Sequence, residues 1–198
     1  MKYPEYAEIN GKRYKINTDF RVAIKCNEVA LDKNISDYER ALAIIYILFG
    51  EDGLNNEKDY KDLLRISISY LACGKKVNNK KQEKLDMDYI QDMDYIEASF
   101  MSDYGIDLTN ETMHWWKFSN LINGLSNSEL GNTCILNRIR NIRNMNPNEI
   151  KDQKERKKII ELQKEFALKK NEKEKKKLTE KEKTSAVEFL NMLRNGKE

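Results

Sequence analysis

Hydrophobic and polar residues alternate singly over one stretch near the start of the chain, "YAEINGKRYKI" (Tyr6–Ile16), and hardly anywhere else. Two short alternating runs flank Asn10-Gly11, a dipeptide that accepts positive φ at both positions and so predicts a type I′ hairpin. Two strands alone are marginally stable, so the hairpin is expected to lie on helices.

After the hairpin the apolar spacing becomes three and four. Thr18 is expected to cap a helix over Asp19 to Leu31, with Phe20, Ile24 and Leu31 facing inward. Ser36 and Glu39 in "SDYE" form a capping box, in which each side chain satisfies a backbone N–H left free by the helix start. The helix that follows, "RALAIIYILFG", is apolar nearly all round and is expected to be central. Gly50 can end it in the left-handed conformation. A further helix is predicted over 57–72, with Leu63, Leu64, Ile66 and Leu71. Then "GKKVNNKKQEK" (Gly74–Lys84) reads as a polar loop. Leu85, Tyr89, Met93, Ile96, Phe100 and Tyr104 form one stripe of a predicted helix, and Gly105 fits its C-terminal stop. Asn146, Pro147 and Glu149 mark a restart as cap, first and third helical residues. A long charged helix is expected beyond them, and "TEKE" (Thr179–Glu182) is a second capping box, before Ala186, Leu190 and Leu193. The fold class is therefore mainly α: a multi-helix domain over 1–145 with a small N-terminal β-hairpin, and a charged helical extension over 146–198.

Charge sharpens this division. Residues 151–198 carry 16 Lys/Arg against 10 Asp/Glu, whereas the remainder carries 20 against 23. The basic tail raises a nucleic-acid arm as one reading. Acids interleaved with the lysines, and few aromatics to stack on bases, favour a solvated helix instead. The longest apolar run, Ala41–Phe49, is shorter than the roughly 20 residues a membrane span needs, and "MKYPEYAEINGK" lacks a signal-peptide core. Three widely spaced cysteines, Cys26, Cys73 and Cys134, suggest reduced thiols in a cytoplasm.

Concentrated chemistry is scarce. The carboxylates from Asp86 to Glu97 fail as a calcium loop, because Ile90 and Gln91 stand where a ligand and a glycine are required. His114 has no second histidine and there is no CxxC pair, so neither a metal nor a cofactor is expected. Cys134 with His114 as base is conceivable, but a cysteine in "CILNRI" is more often core. No catalytic residue is assigned; the chain is expected to work by binding.

"MHWWKFSNLINGL" (Met113–Leu125) holds both tryptophans and the single histidine. On a helix at 100° per residue, His114, Trp115, Leu121, Ile122 and Leu125 fall within about 60° of Phe118. That is a core face, with His114 at its edge and one nitrogen toward solvent. Trp116 falls about 160° away, with Met113, Asn120 and Asn123. It must meet a second layer of the protein or an edge open to another chain. The expected contact set is therefore Trp116, Met113, Asn120 and Asn123. The expected core set is Trp115, Phe118, Tyr104 and Phe100.

"DYIEASFMSDYGIDL" (Asp94–Leu108), then "MHWWKFSNLINGL", then "RIR" (Arg138–Arg140) resemble the bacteriophage gene-product-fifteen proteins, encoded in the tail-gene region of siphophages and prophages of Gram-positive bacteria. The resemblance covers roughly residues 8–145. Its most recognisable positions are Trp115, Trp116, Phe118, Tyr104, Gly105 and Asp107. It implies no enzymatic activity. The family's place beside the tape-measure gene is similar to that of tail assembly chaperones, which coat the tape-measure protein while the tube polymerises. The resemblance thus implies a tape-measure partner, self-association, action in the host cytoplasm and absence from the mature virion. A permanent tail component is the alternative, and a nucleic-acid binder the third.

Overall fold

The hairpin forms where the alternation places it. Strands β1 (Tyr6–Ile9) and β2 (Lys12–Lys15) pair antiparallel, and Asn10 and Gly11 both take positive φ, 50° and 77°. This computed structural model describes residues 2–75, 85–127 and 133–169. They fall into two compact units: one of 2–75 with 113–118, the other of 85–112, 119–127 and 133–169.

In the first unit the hairpin precedes helices α1 (Phe20–Leu31), α2 (Asp37–Phe49), the short α3 (Glu51–Leu54) and α4 (Tyr60–Leu71). Tyr14, Ile16, Phe20, Ile45, Leu48 and Leu63 are all buried. The capping box is present in full, with Ser36 and Glu39 each accepting from the other's N–H. Asp19, not Thr18, caps α1, accepting from the Arg21 N–H at 2.9 Å, because the Thr18 carbonyl is engaged by the Trp115 N–H. Leu31 is 57% exposed against expectation. The last turn of α1 runs past its packed face, and Glu28 and Ala30 are exposed with it. Gly50 has positive φ but an extended ψ of −156°, so α2 ends without the left-handed cap. Tyr46 is half exposed, which leaves α2 with one wet side.

The hairpin is fastened to the start of α4 by a buried carboxylate. Asp59 accepts from the Tyr14 hydroxyl at 2.6 Å, from Asn10 Nδ2 at 3.0 Å and from Asn56 Nδ2 at 2.8 Å. Three donors on one group favour its ionised form, and the Tyr14 hydroxyl bond leads in holding the Asp59 carboxyl below the usual range despite burial. Burial, then the same bond, pushes the Tyr14 phenol up to about 12.

The second unit contains α5 (Met93–Tyr104), α7 (Ile135–Asn144) and α8 (Gln153–Glu165). Helix α6 (Trp115–Asn123) begins in the first unit and ends in the second. The stripe expected from Leu85 onward is helical only from Met93. Leu85 is 62% exposed, and Asp88 diverts the chain by accepting the N–H groups of Ile90 and Gln91. Gly105 closes α5 in the left-handed conformation as expected. Asn146-Pro147 starts only a 3-10 turn (Pro147–Glu149); the α-helix restarts at Gln153, capped by Asp152. α5 packs on α7 through Ile96, Phe100, Leu136 and Ile139, all at most 1% exposed.

A bidentate ion pair lies at one edge of this packing. Arg143 donates to both oxygens of Asp92 at 2.7 Å, and the pair is nearly dry. Residues 146–169 of the expected extension continue within this unit, and Gln163 on α8 donates to the Ile142 and Met145 carbonyls. Lys170 onward, with the second capping box and Ala186, Leu190 and Leu193, lies outside the described residues, as do 76–84 of the expected loop.

Candidate functional site

In the first unit, residues 113–115 run beside 18–20, and Met113 and His114 do not join α6. Phe20 N–H donates to the Met113 carbonyl at 2.9 Å and Trp115 N–H to the Thr18 carbonyl at 2.8 Å, a bridge centred on Asp19 and His114. Met113 therefore precedes the helix and is 6% exposed. The helical wheel that placed it beside Trp116 on an outer face does not apply to it.

His114 takes the cap position instead. Its Nδ1 accepts the Trp116 N–H at 3.0 Å, satisfying one donor orphaned by the helix start. That fixes the tautomer, so Nε2 carries the proton and donates to the Pro4 carbonyl at 3.0 Å. The ring stacks on Tyr3, with centroids 4.9 Å apart. Both nitrogens are thus engaged, contrary to the expectation of one reaching solvent. This imidazole bridges chain segments.

The tryptophans then act together. Trp115 Nε1 donates to the Leu71 carbonyl at 3.0 Å and Trp116 Nε1 to the Tyr70 carbonyl at 2.9 Å. These are the last two residues of α4, where carbonyls lack the full intrahelical pairing, although the Tyr70 carbonyl also accepts the Cys73 N–H at 2.9 Å. Two adjacent indoles therefore close the end of a helix remote in sequence. Trp115 is also core, 3% exposed and stacked on Phe118, which in turn stacks on Phe20 with centroids 4.3 Å apart. Trp116 is half-buried. Its ring passes so close to Gly74 that an added Cβ would meet it at 3.1 Å. It thus meets a second layer of its own unit and keeps part of its surface open.

The second unit repeats the device. Tyr104 donates its hydroxyl to the Leu121 carbonyl, near the end of α6, at 2.9 Å, and packs edge-on to Phe100. A Cβ on Gly124 would meet that hydroxyl at 2.9 Å. Asp107 folds the next turn by accepting from Thr109 and Asn110, and the Thr109 hydroxyl leads in lowering its pKa. Asn120 and Asn123, on the α6 part of this unit, are exposed, and Asn123 donates to its own helix at Ser119. Asp103 accepts the Ser126 N–H at 2.7 Å, and this backbone bond is the main cause holding its carboxyl below the usual range. Cys134 is buried at the start of α7, where its sulfur accepts the Asn137 N–H at 3.5 Å.

The most recognisable positions of the resemblance, Trp115, Trp116, Phe118, Tyr104, Gly105 and Asp107, are thus accounted for by a helix end, a turn or a buried ring. The decisive comparison concerns the whole pattern: the profile described as Bacteriophage Gp15 protein matches residues 2–168. The chain belongs to this bacteriophage family. The match runs past Asn146 and includes α8, so in this Gp15-family member the charged helix is part of the family pattern. Comparison with curated proteins and with solved structures gives no match. Among the described residues no cluster of His, Cys, Asp and Glu could hold a metal ion, and no helix is long and apolar enough to cross a membrane. Sequence reasoning missed the roles of Tyr104 and of the two indoles. The signal was available only as polar-tipped aromatics beside glycine, since the carbonyls they reach are 17 to 46 residues away.

Proposed function

We propose that this Gp15-family protein is a non-enzymatic phage tail morphogenesis factor, a tail assembly chaperone that binds the tape-measure protein in the host cytoplasm. Membership of a bacteriophage family over residues 2–168 carries the reading. The tail-region setting of the proteins that the sequence resembles supplies the partner. The signature residues add support, because their polar atoms are occupied in fastening helices and leave no reactive constellation. The open part of the Trp116 indole offers a contact for an amphipathic client helix, a recognition mode built on apolar anchors.

The test is co-expression with the tape-measure protein of the same phage, followed by mass spectrometry of purified particles. A chaperone keeps its client soluble, co-purifies with it and is missing from mature virions. Stoichiometric presence in virions favours the permanent tail component. A steep loss of nucleic-acid binding with salt, without client capture, favours the basic-arm reading.

A further inference from the structure

Residues 166–169, just after α8, are held by two side chains that bind their main chain. Arg143 Nε donates to the Phe166 carbonyl at 2.7 Å. Gln91 holds Lys169 from both sides: Lys169 N–H donates to Gln91 Oε1 at 2.8 Å, and Gln91 Nε2 donates to the Lys169 carbonyl at 3.2 Å. A primary amide carries one acceptor and two donors, so it pairs with a peptide unit much as a neighbouring strand does. Arg143 is pre-oriented, because Asp92 grips its two terminal nitrogens and the Asp86 carbonyl accepts from Nη1 at 2.8 Å. The Phe166 ring stands edge-on to Tyr95 at 6.4 Å and supplies the one side-chain preference.

We propose that Gln91, Tyr95 and Arg143 form a clamp for a peptide segment beginning with an aromatic residue, and that the clamp exchanges the chain's own Phe166–Lys169 for the same segment of a second copy of this chain. Three observations favour exchange over permanent docking. No residue of α8 is buried, so little apolar surface opposes release. The connection to α7, Met145–Asp152, contains only a 3-10 turn and can serve as a hinge. A clamp that reads main chain is satisfied identically by a copy, the condition under which segment exchange costs least. The proposal stands independently of the tape-measure reading.

Two full-length variants test it by complementation. Lys169→Pro removes the N–H that Gln91 accepts and leaves the clamp intact. Gln91→Ala breaks the clamp and leaves the segment intact. Both positions are exposed, and circular dichroism checks that each variant folds. In analytical ultracentrifugation each variant alone should be monomeric, and their mixture should form a one-to-one complex. A labelled, amidated peptide of residues 160–169 should bind the Lys169→Pro chain at least tenfold more tightly than the chain carrying both substitutions. A mixture that sediments as the sum of its parts, or peptide binding indifferent to Gln91, overturns the proposal. So does equal self-association of the two variants alone.

Discussion

Asp59 illustrates what a single buried side chain holds here. Its three partners are all donors, so Asp59→Asn turns one lone-pair site into an N–H facing donors. The expected cost is about 2–4 kcal/mol, from unsatisfied buried groups, read as a shift in the denaturation midpoint. The pH signs follow from the pKa directions. The Asp59 carboxyl is lowered from 3.8, so its contribution is present above that value and is lost as pH falls through the folded one. The Tyr14 phenol is raised from 10.0 to about 12, so its contribution is present below 10 and is lost as pH rises through about 12. Wild type should therefore lose stability at both extremes, and Asp59→Asn should flatten the acid limb. Tyr70 makes the opposite point. Its hydroxyl is buried without a hydrogen-bond partner among the described residues, so Tyr70→Phe should leave the melting temperature unchanged or raise it. The indoles differ by degree. Trp115→Ala should cost roughly 3–5 kcal/mol as a core deletion. Trp116→Phe, which keeps a ring and loses one N–H bond, should cost about 1 kcal/mol.

At the scale of elements, what could be read from sequence was what neighbours in sequence decide. The Asn10-Gly11 turn, the Ser36–Glu39 box and the Gly105 stop depend on residues within a few positions, and all three form. The failures were mostly long-range. Met113 and His114 carry a helical pattern, yet they pair with residues near 19. Leu85 and Tyr89 continue the stripe of α5, yet the helix starts only at Met93, because Asp88 takes up the Ile90 and Gln91 N–H groups and turns the chain there. Trp116 was legible only as a residue that could not share the face of Phe118; its acceptor at Tyr70 could not be read from spacing. The Arg143–Asp92 pair gives the corresponding prediction. Asp92→Ala should destabilise the second unit by about 3–5 kcal/mol, because it leaves a buried guanidinium uncompensated. Hydrogen exchange should show the loss in α5, α7 and α8 and spare the hairpin.

At the scale of the whole molecule, both tryptophans of the chain sit in the first unit, on adjacent residues whose indole N–H groups close the same helix end. Intrinsic fluorescence excited at the indole band is therefore a local gauge. It reports the release of α4 from the start of α6 and is silent about α5, α7 and α8, whereas far-ultraviolet dichroism reports helices in both units. A denaturant titration followed by the two signals should give superimposable curves only if the units melt together. Separated midpoints would assign the earlier or later transition to a unit without any labelling. The half-buried Trp116 adds a second readout: acrylamide should quench one emitter far more readily than the other, and a client that covers the open indole should remove that difference.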